Sequence, residues 1–180
     1  MSMRLPVLLS IVALLAAGCV QTGGTRRSSD NNAGVSADPS DAEKRASVRL
    51  ELAGGYFSRG QFNPALDEIK LALAAKPDMG AAYNMRGLVY AAMGEERLAE
   101  ESFERAMSLN PRDADAMHNR AWFKCQRGQY DDAERLFEQA IATPQYRDLA
   151  RSLMAQGICN ARAGRMGPAE QKLLRAYEVD

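Results

Sequence analysis

Large and small apolar residues recur at helical spacing between residues 80 and 111. Steps of four and three residues separate them, which places their side chains on one face of an α-helix. The positions are Tyr83, Gly87 and Tyr90 in the first half and Ala99, Phe103 and Ala106 in the second. Gly94 lies between the halves, where a helix end favours a left-handed residue, and Pro111 cannot continue the second helix. The pattern predicts a helical hairpin in which aromatic side chains pack beside small residues.

The same pattern occurs four times along the chain, with copies that start near Ala46, Gly80, Ala114 and Ala150. The spacing between the first three copies is constant, and the fourth comes two residues later because the loop near residues 143–147 is longer. One hairpin cannot bury its outer apolar stripe alone, whereas stacked hairpins bury a continuous core. The sequence predicts about four stacked hairpins, over residues 46–79, 80–113, 114–149 and 150–180.

This period and residue pattern resemble the tetratricopeptide repeat from Ala46 to the chain end. The resemblance implies an all-α, right-handed solenoid of helical hairpins. The departures are Arg86, Arg120 and Gln156 in place of a usual Leu, and Lys124 and Asn160 in place of the aromatic found at Tyr56 and Tyr90. We therefore expect the third and fourth hairpins to be less well packed than the first two.

Residues 1–19 differ from the repeats. Arg4 precedes an apolar run from Leu5 to Leu15, which is too short to span a bilayer and predicts an export signal. Its end resembles the lipobox of bacterial lipoproteins, with Ala16 where Leu is commonest. The resemblance implies a signal peptide over residues 1–18 and lipidation of Cys19. An ordinary signal with an incidental cysteine is the alternative.

Residues 20–39 contain almost nothing large and apolar, so we expect a flexible tether over residues 19–40 and a repeat domain over residues 41–180. A lipid on Cys19 would hold the protein on a membrane without spanning it. Val20 is not the Asp that retains bacterial lipoproteins in the inner membrane. By resemblance to that sorting rule, the expected location is the outer membrane, on its periplasmic face.

Charge excludes some partners. The chain has 23 basic and 23 acidic residues, interspersed along the repeats, so no surface for nucleic acid or anionic lipid is evident. A local acidic cluster comprises Glu95, Glu96, Glu100 and Glu101. We expect this cluster to be a solvated helix face.

The sequence contains no catalytic constellation. His118 is the single histidine, and neither Cys125 nor Cys159 has the context of a nucleophile. Phosphate loops, CxxC pairs and EF-hand spacings are absent from the sequence. Beside Asp115 and Asn119, His118 is expected to be a solvated or hydrogen-bonded groove residue rather than a metal ligand. We therefore predict a binding protein rather than an enzyme, with no cofactor, metal or small-molecule substrate.

Long runs of the chain resemble the PilF/PilW family. They are RLELAGGYFSRGQFNPALDEIKLAL (residues 49–73), AYNMRGLVY (82–90), AEESFERA (99–106), LNPRDADAMHNRAWFKCQRGQYDDA (109–133) and AQGICNARAG (155–164). Members are outer-membrane lipoproteins that act as pilotins for the secretin of type IV pili, and they usually carry more repeats than this chain. The resemblance implies an assembly factor that binds the pilus secretin or another pilus-assembly protein. A general periplasmic scaffold for envelope or peptidoglycan enzymes is the alternative.

By resemblance to the repeat family, the first helices line a concave groove. The predicted groove residues are Phe57, Asn84, Leu88, His118, Trp122, Met154 and Ile158. Trp122 is its expected centre, and packing between repeats is the alternative role for this side chain. Co-chaperone repeat domains clamp a C-terminal carboxylate at positions that are Leu50, Gly54 and Met85 in this sequence. A receptor for chaperone tails is therefore not expected.

The cysteines predict a disulfide. Export implies an oxidising compartment, and with Cys19 lipidated only Cys125 and Cys159 remain. These two lie on the first helices of adjacent repeats, so helix packing can bring them together. Two buried free thiols are the alternative.

The last helix carries Leu173, Leu174 and Tyr177, and the sequence gives nothing after them to cover these side chains. A final repeat needs either a polar face or a partner. We therefore expect self-association through this end of the chain, or higher mobility there than in the middle repeats.

Overall fold

The computed structural model describes residues 39–179, which contain eight α-helices and no strand. They are α1 (Pro39–Ser58), α2 (Phe62–Ala75), α3 (Gly80–Met93), α4 (Glu96–Leu109), α5 (Ala114–Gln126), α6 (Tyr130–Ile141), α7 (Leu149–Arg162) and α8 (Met166–Val179). None of these helices is long and apolar enough to cross a membrane. The predicted signal peptide, Cys19 and nearly all of the predicted tether lie outside the described residues. Because α1 begins at Pro39, the last two residues of that tether are helical.

Consecutive helices pair as four hairpins, α1 with α2, α3 with α4, α5 with α6 and α7 with α8. The four hairpins stack through three junctions, one between each pair of neighbours. The first junction joins α2 to α3, the second joins α4 to α5, and the third joins α6 to α7. The first helices also contact one another in the series α1, α3, α5 and α7. The predicted all-α solenoid of stacked hairpins is confirmed.

Each hairpin turns at a glycine in the left-handed conformation. The glycines are Gly60, Gly94, Gly128 and Gly164, with φ of 70°, 77°, 73° and 76°. Side chains strain this conformation, so a glycine just after the first helix ends that helix and reverses the chain. The turn predicted at Gly94 is therefore present in every repeat.

Close approach between paired helices depends on small residues opposite large ones. Phe103 is fully buried, and a Cβ placed on Gly87 would lie 2.7 Å from its ring. In the last hairpin, a Cβ on Gly157 would lie 2.7 Å from Cγ of Leu173. These contacts match the predicted pairing of large and small residues across a hairpin. The large residue is less covered in the last hairpin, where Leu173 is 40% exposed.

At the second junction, polar residues bond across the stacked repeats. Arg120 donates to Glu100 with an Nε–Oε1 distance of 3.0 Å, and Lys124 Nζ lies 3.0 Å from the other carboxylate oxygen of Glu100. The predicted solvated face is therefore wrong for Glu100, whose side chain is only 23% exposed. The other members of the acidic cluster, Glu95, Glu96 and Glu101, are exposed.

At the third junction, residues at the same repeat positions also bond to a carboxylate, but the donors are neutral amides. Gln156 Nε2 and Asn160 Nδ2 donate to the two carboxylate oxygens of Glu134, at 2.7 and 2.9 Å. Gln156 and Asn160 are both buried, and these bonds satisfy their amide N–H groups in place of water. The polar substitutions at Gln156 and Asn160 thus have a carboxylate partner on the preceding repeat, while the other amide atom of Gln156, its buried Oε1, has no partner among the described residues. Looser packing of the third and fourth hairpins stays a prediction.

At the end of the described chain, α8 carries exposed apolar side chains. Leu174 is 58% exposed and Tyr177 is 86% exposed. Self-association or mobility at this end stays a prediction.

Candidate protein-binding surface

The first helices form one face, because side chains connect each of them to the next. Asn119 Nδ2 on α5 donates to Asn84 Oδ1 on α3 at 3.2 Å. The Arg162 guanidinium on α7 lies 5.1 Å from the ring centre of Trp122 on α5. These contacts join α3 to α5 and α5 to α7, and in both the paired residues are offset from the matching repeat positions.

Five of the predicted groove residues are apolar and lie on the first helices, which we call the inner strip: Phe57 on α1, Leu88 on α3, Trp122 on α5, and Met154 and Ile158 on α7. The first three are half-buried, whereas Ile158 is 37% exposed and Met154 is 51% exposed. The accessible apolar surface is therefore greatest at the α7 end of the strip. Exposed apolar side chains grouped in this way are typical of surfaces that bind other proteins.

Trp122 combines the two roles that the sequence left open. One side packs against a buried cluster that includes Ala121, Phe137 and the two cysteines. The ring is nevertheless only half-buried, and Arg162 lies over it. Within residues 39–179, Arg162 forms no ion pair, so its charge is available beside the ring. The ring and the cation together offer an anchor for a partner side chain.

His118 does not line an open groove, and its predicted availability to a partner is wrong. The side chain is buried, its Nδ1 and Ser152 Oγ share a hydrogen bond of 2.7 Å, and its ring packs edge-on against Phe137. Tyr146 Oη lies 3.0 Å from the same Ser152 Oγ. Tyr146 belongs to the longer loop of the third repeat, which has no counterpart in the other repeats, so the repeat pattern gave no signal for this contact.

Burial of His118 predicts a loss of stability in acid. Burial disfavours the charged imidazolium, and the nearby Arg151 adds to this effect while Asp148 opposes it, so the pKa of His118 falls from 6.5 to about 4. Between these values the unfolded chain binds more protons than the folded chain, and stability therefore falls as the pH falls through this window. We expect about 2 kcal/mol to be lost between pH 7 and pH 5.

The measurement is urea unfolding at both pH values for the wild type and for His118→Gln. The variant lacks the titrating group, so its free energy of unfolding should change less between pH 7 and pH 5, whatever its stability at pH 7. Equal pH dependence in both chains would show that His118 is not the titrating group. Asp115, Asp148 and Arg151 are retained in both chains and so cancel in the comparison.

The structure joins Cys125 on α5 to Cys159 on α7 by a disulfide, with the Cα atoms 5.8 Å apart. This separation is in the usual range for disulfides, and both residues are buried. The geometry supports the predicted pairing.

This surface has the chemistry of binding. It offers apolar side chains, two amides and a guanidinium, whereas the hydrogen-bonded Ser152 and His118 beside it are buried. Across residues 39–179, no group of three His, Cys, Asp or Glu side chains is arranged to hold a metal ion.

Comparison with known proteins agrees with this fold. A tetratricopeptide-repeat family model matches residues 78–144. An uncharacterised protein of Haemophilus influenzae is 27% identical over 147 residues, which is 81% of each chain. The type IV pilus assembly protein PilF of Pseudomonas aeruginosa is 25% identical over 173 residues, covering 96% of this chain and 66% of PilF.

Among solved structures, PilW, described as a widely conserved type IV pilus biogenesis factor, has a TM-score of 0.71 and 29% identity over 74% of this chain and 61% of PilW. The structure of P. aeruginosa PilF has a TM-score of 0.74 at 19% identity, and this likeness concerns the fold alone. The chain thus spans less than two thirds of the length of either structure.

Four stacked hairpins, the repeated turn glycines and the family model define the class: this is an all-α tetratricopeptide-repeat protein. Within that class, its similarity in sequence and fold to PilF and PilW makes it a PilF/PilW-like repeat protein.

Proposed function

We propose that the chain is a protein-binding assembly factor of type IV pilus biogenesis that makes no covalent change to its partner. Its similarity to PilF and PilW supports the pilus assignment. The observation on this chain that carries the proposal is the inner strip, whose apolar side chains are exposed on α7 and half-buried on α1, α3 and α5. Repeat solenoids use such extended faces to bind other proteins.

The more specific proposal is that it acts as a pilotin, promoting the localisation and multimerisation of the pilus secretin. In this proposal Cys19 carries lipid, the residues before α1 form a tether, and the protein lies on the periplasmic face of the outer membrane. The lipobox-like sequence and the family resemblance support this arrangement. A bound secretin subunit would be carried by the lipid anchor to the membrane in which it assembles.

The inner strip suits a helix or an extended segment that inserts apolar side chains. Trp122 would contact the main anchor, and Arg162 would pair with an acidic or carbonyl group beside it. Asn84 accepts from Asn119, which leaves its own N–H₂ group to bond the backbone of a partner.

Trp122→Ala is expected to weaken binding of the purified secretin by about 2 kcal/mol or more, which is the effect typical of an interface hot spot. Its cost in folding stability should stay below the about 3 to 5 kcal/mol of a fully buried aromatic, because the ring is half-buried. Calorimetric titration gives the affinity, thermal unfolding gives the stability, and the amount of secretin multimer in cells gives the function.

Ile158→Glu and Met154→Glu complement this variant, because both side chains are already exposed and the substitutions leave the core intact. Leu71→Glu on α2 is the matched control, since Leu71 is 46% exposed and does not belong to the inner strip. We expect the two strip variants to lose secretin multimers and the control to retain them. Folded strip variants that assemble the secretin normally would contradict the proposed binding surface.

Deletion of the gene tests the wider assignment. We expect loss of twitching motility and of secretin multimers. Normal pili with altered cell-wall metabolism would contradict the pilus assignment and indicate instead a general scaffold for envelope or peptidoglycan enzymes.

A further inference from the structure

A cleft of about 470 Å³ opens at the first junction, between α2 and α3. Its apolar lining comprises Leu66 and Leu73 from α2 and Tyr83 and Tyr90 from α3. The volume is in the range of sites that hold small ligands or single side chains of a partner. The tyrosines lie on a different face of α3 from Leu88, so the cleft is separate from the inner strip.

The cleft is apolar at the two repeat positions that carry an ion pair at the second junction. Leu66 occupies the repeat position that Glu100 occupies in the next hairpin, and Tyr90 likewise corresponds to Lys124. Where the second junction has the Glu100–Lys124 ion pair, the first therefore has a leucine and a tyrosine. These two side chains cannot form an ion pair. A cleft of about 360 Å³ also opens at the second junction, but charged side chains that include Glu100 and Lys124 line it.

The rim of the cleft is basic. The guanidinium groups of Arg86 and Arg105 lie 4.7 and 5.7 Å from the ring centre of Tyr83. Lys70 is also at the rim and is exposed, whereas Asp67 is the acidic side chain in the lining. Among the described residues, none of the three basic side chains forms an ion pair. Two cations, Lys70 and Arg86, and one carboxylate lie in the lining, and Arg105 adds a third cation beside Tyr83, so the charge around the cleft favours an acidic partner.

We propose that this cleft binds a peptide segment of a partner protein, which inserts one aromatic or aliphatic side chain between Tyr83 and Tyr90 and carries acidic residues beside it. The inserted side chain would be buried against the two rings and the leucines. The neighbouring carboxylates would pair with Lys70 and Arg105 at the rim. The cleft would thus give the protein a second binding site, on the repeats furthest from the exposed end of the inner strip.

A variant that replaces the apolar lining of the cleft by charged side chains tests the proposal. Leu66→Glu combined with Tyr90→Lys transfers the ion pair of the second junction to the first. Thermal unfolding checks that this double variant is folded. Short random peptides displayed on phage are selected on the purified full chain after depletion on the double variant, which removes peptides that bind elsewhere.

We expect the enriched peptides to share an apolar residue flanked by Asp or Glu. Synthetic copies should bind the double variant at least about tenfold more weakly than the wild type. Failure to enrich any peptide, enrichment of peptides with basic flanks, or equal binding to both chains would overturn the proposal.

Variants that change one charged surface residue provide a second test, and they leave the core unchanged. Lys70→Glu should weaken the same peptides by about tenfold, because it replaces an attractive rim charge by a repulsive one. Arg175→Glu on α8 is the matched control, since it makes the same change in net charge at an exposed site away from the cleft. Equal effects of the two variants would show that only the total charge matters and would also overturn the proposal. No secretin is present in these measurements, so they are independent of the proposed pilus function.

Discussion

Replacing Phe103 by alanine is expected to lower the free energy of unfolding by about 3 to 5 kcal/mol. The side chain is fully buried, it packs over Gly87, and its ring centre lies 5.6 Å from that of Phe123 in the next repeat. Removing the ring would leave a cavity both inside the second hairpin and towards the third. Because domains are stable by only about 5 to 15 kcal/mol in total, the variant should unfold at clearly lower urea concentrations.

Gly87→Ala tests the close contact between Gly87 and Phe103 separately from the loss of buried apolar volume. In the wild type, the new Cβ would lie 2.7 Å from the Phe103 ring, so we expect a loss of about 1 to 3 kcal/mol. In the Phe103→Ala background the ring is absent, and Gly87→Ala should be neutral or stabilising by up to about 1 kcal/mol, since alanine favours helix. The same cost in both backgrounds would contradict the proposed contact.

The features that the sequence predicted well are those set by local backbone and steric requirements. A turn at Gly94 needs a residue that tolerates positive φ, and the pairing of Gly87 with Phe103 needs a small residue opposite a large one. Both requirements restrict the residue type at a fixed position in every repeat. The period alone therefore determined the number of hairpins and the order in which they stack.

The polar contacts at the junctions were not predicted, because they depend on which residues face each other after stacking. Glu100 was assigned to a solvated acidic face, and Arg120 was read as a departure from the repeat, although the two are partners. The repeat positions of these residues nevertheless indicate the contacts. Glu134 occupies the position of Glu100 one repeat later, and each carboxylate precedes a repeat whose first helix has two polar residues in place of apolar ones.

The binding surface stays a prediction, and the repeat pattern did not predict how exposed each of its residues is. The repeat register places Met154 and His118 at equivalent sites, yet Met154 is exposed and His118 is buried. The difference arises from Ser152 and from Tyr146 in the longer loop, which occupy the polar side of the imidazole. An inserted loop changes the local environment without changing the period, so a repeat alignment cannot detect its effect.

Reduction of the Cys125–Cys159 disulfide is expected to lower the free energy of unfolding by about 3 to 4 kcal/mol. The bond closes a loop across 34 residues, and in the chain-entropy model its effect comes mainly from restricting the unfolded chain. The folded state should change little, because both sulfur atoms are buried in a cluster with Phe137 and Ala133. Urea unfolding with and without reductant measures the difference.

The control is the double variant Cys125→Ala with Cys159→Ala, whose stability should not respond to reductant and should be close to that of the reduced wild type. In both chains Cys19 is replaced by serine, so that the thiol count reports only the buried pair. Titration of the exported, unfolded wild-type pair should then detect no free thiol. Two free thiols, or equal unfolding of the wild type with and without reductant, would rule out the bond and leave two buried cysteines that pack as small apolar side chains between α5 and α7.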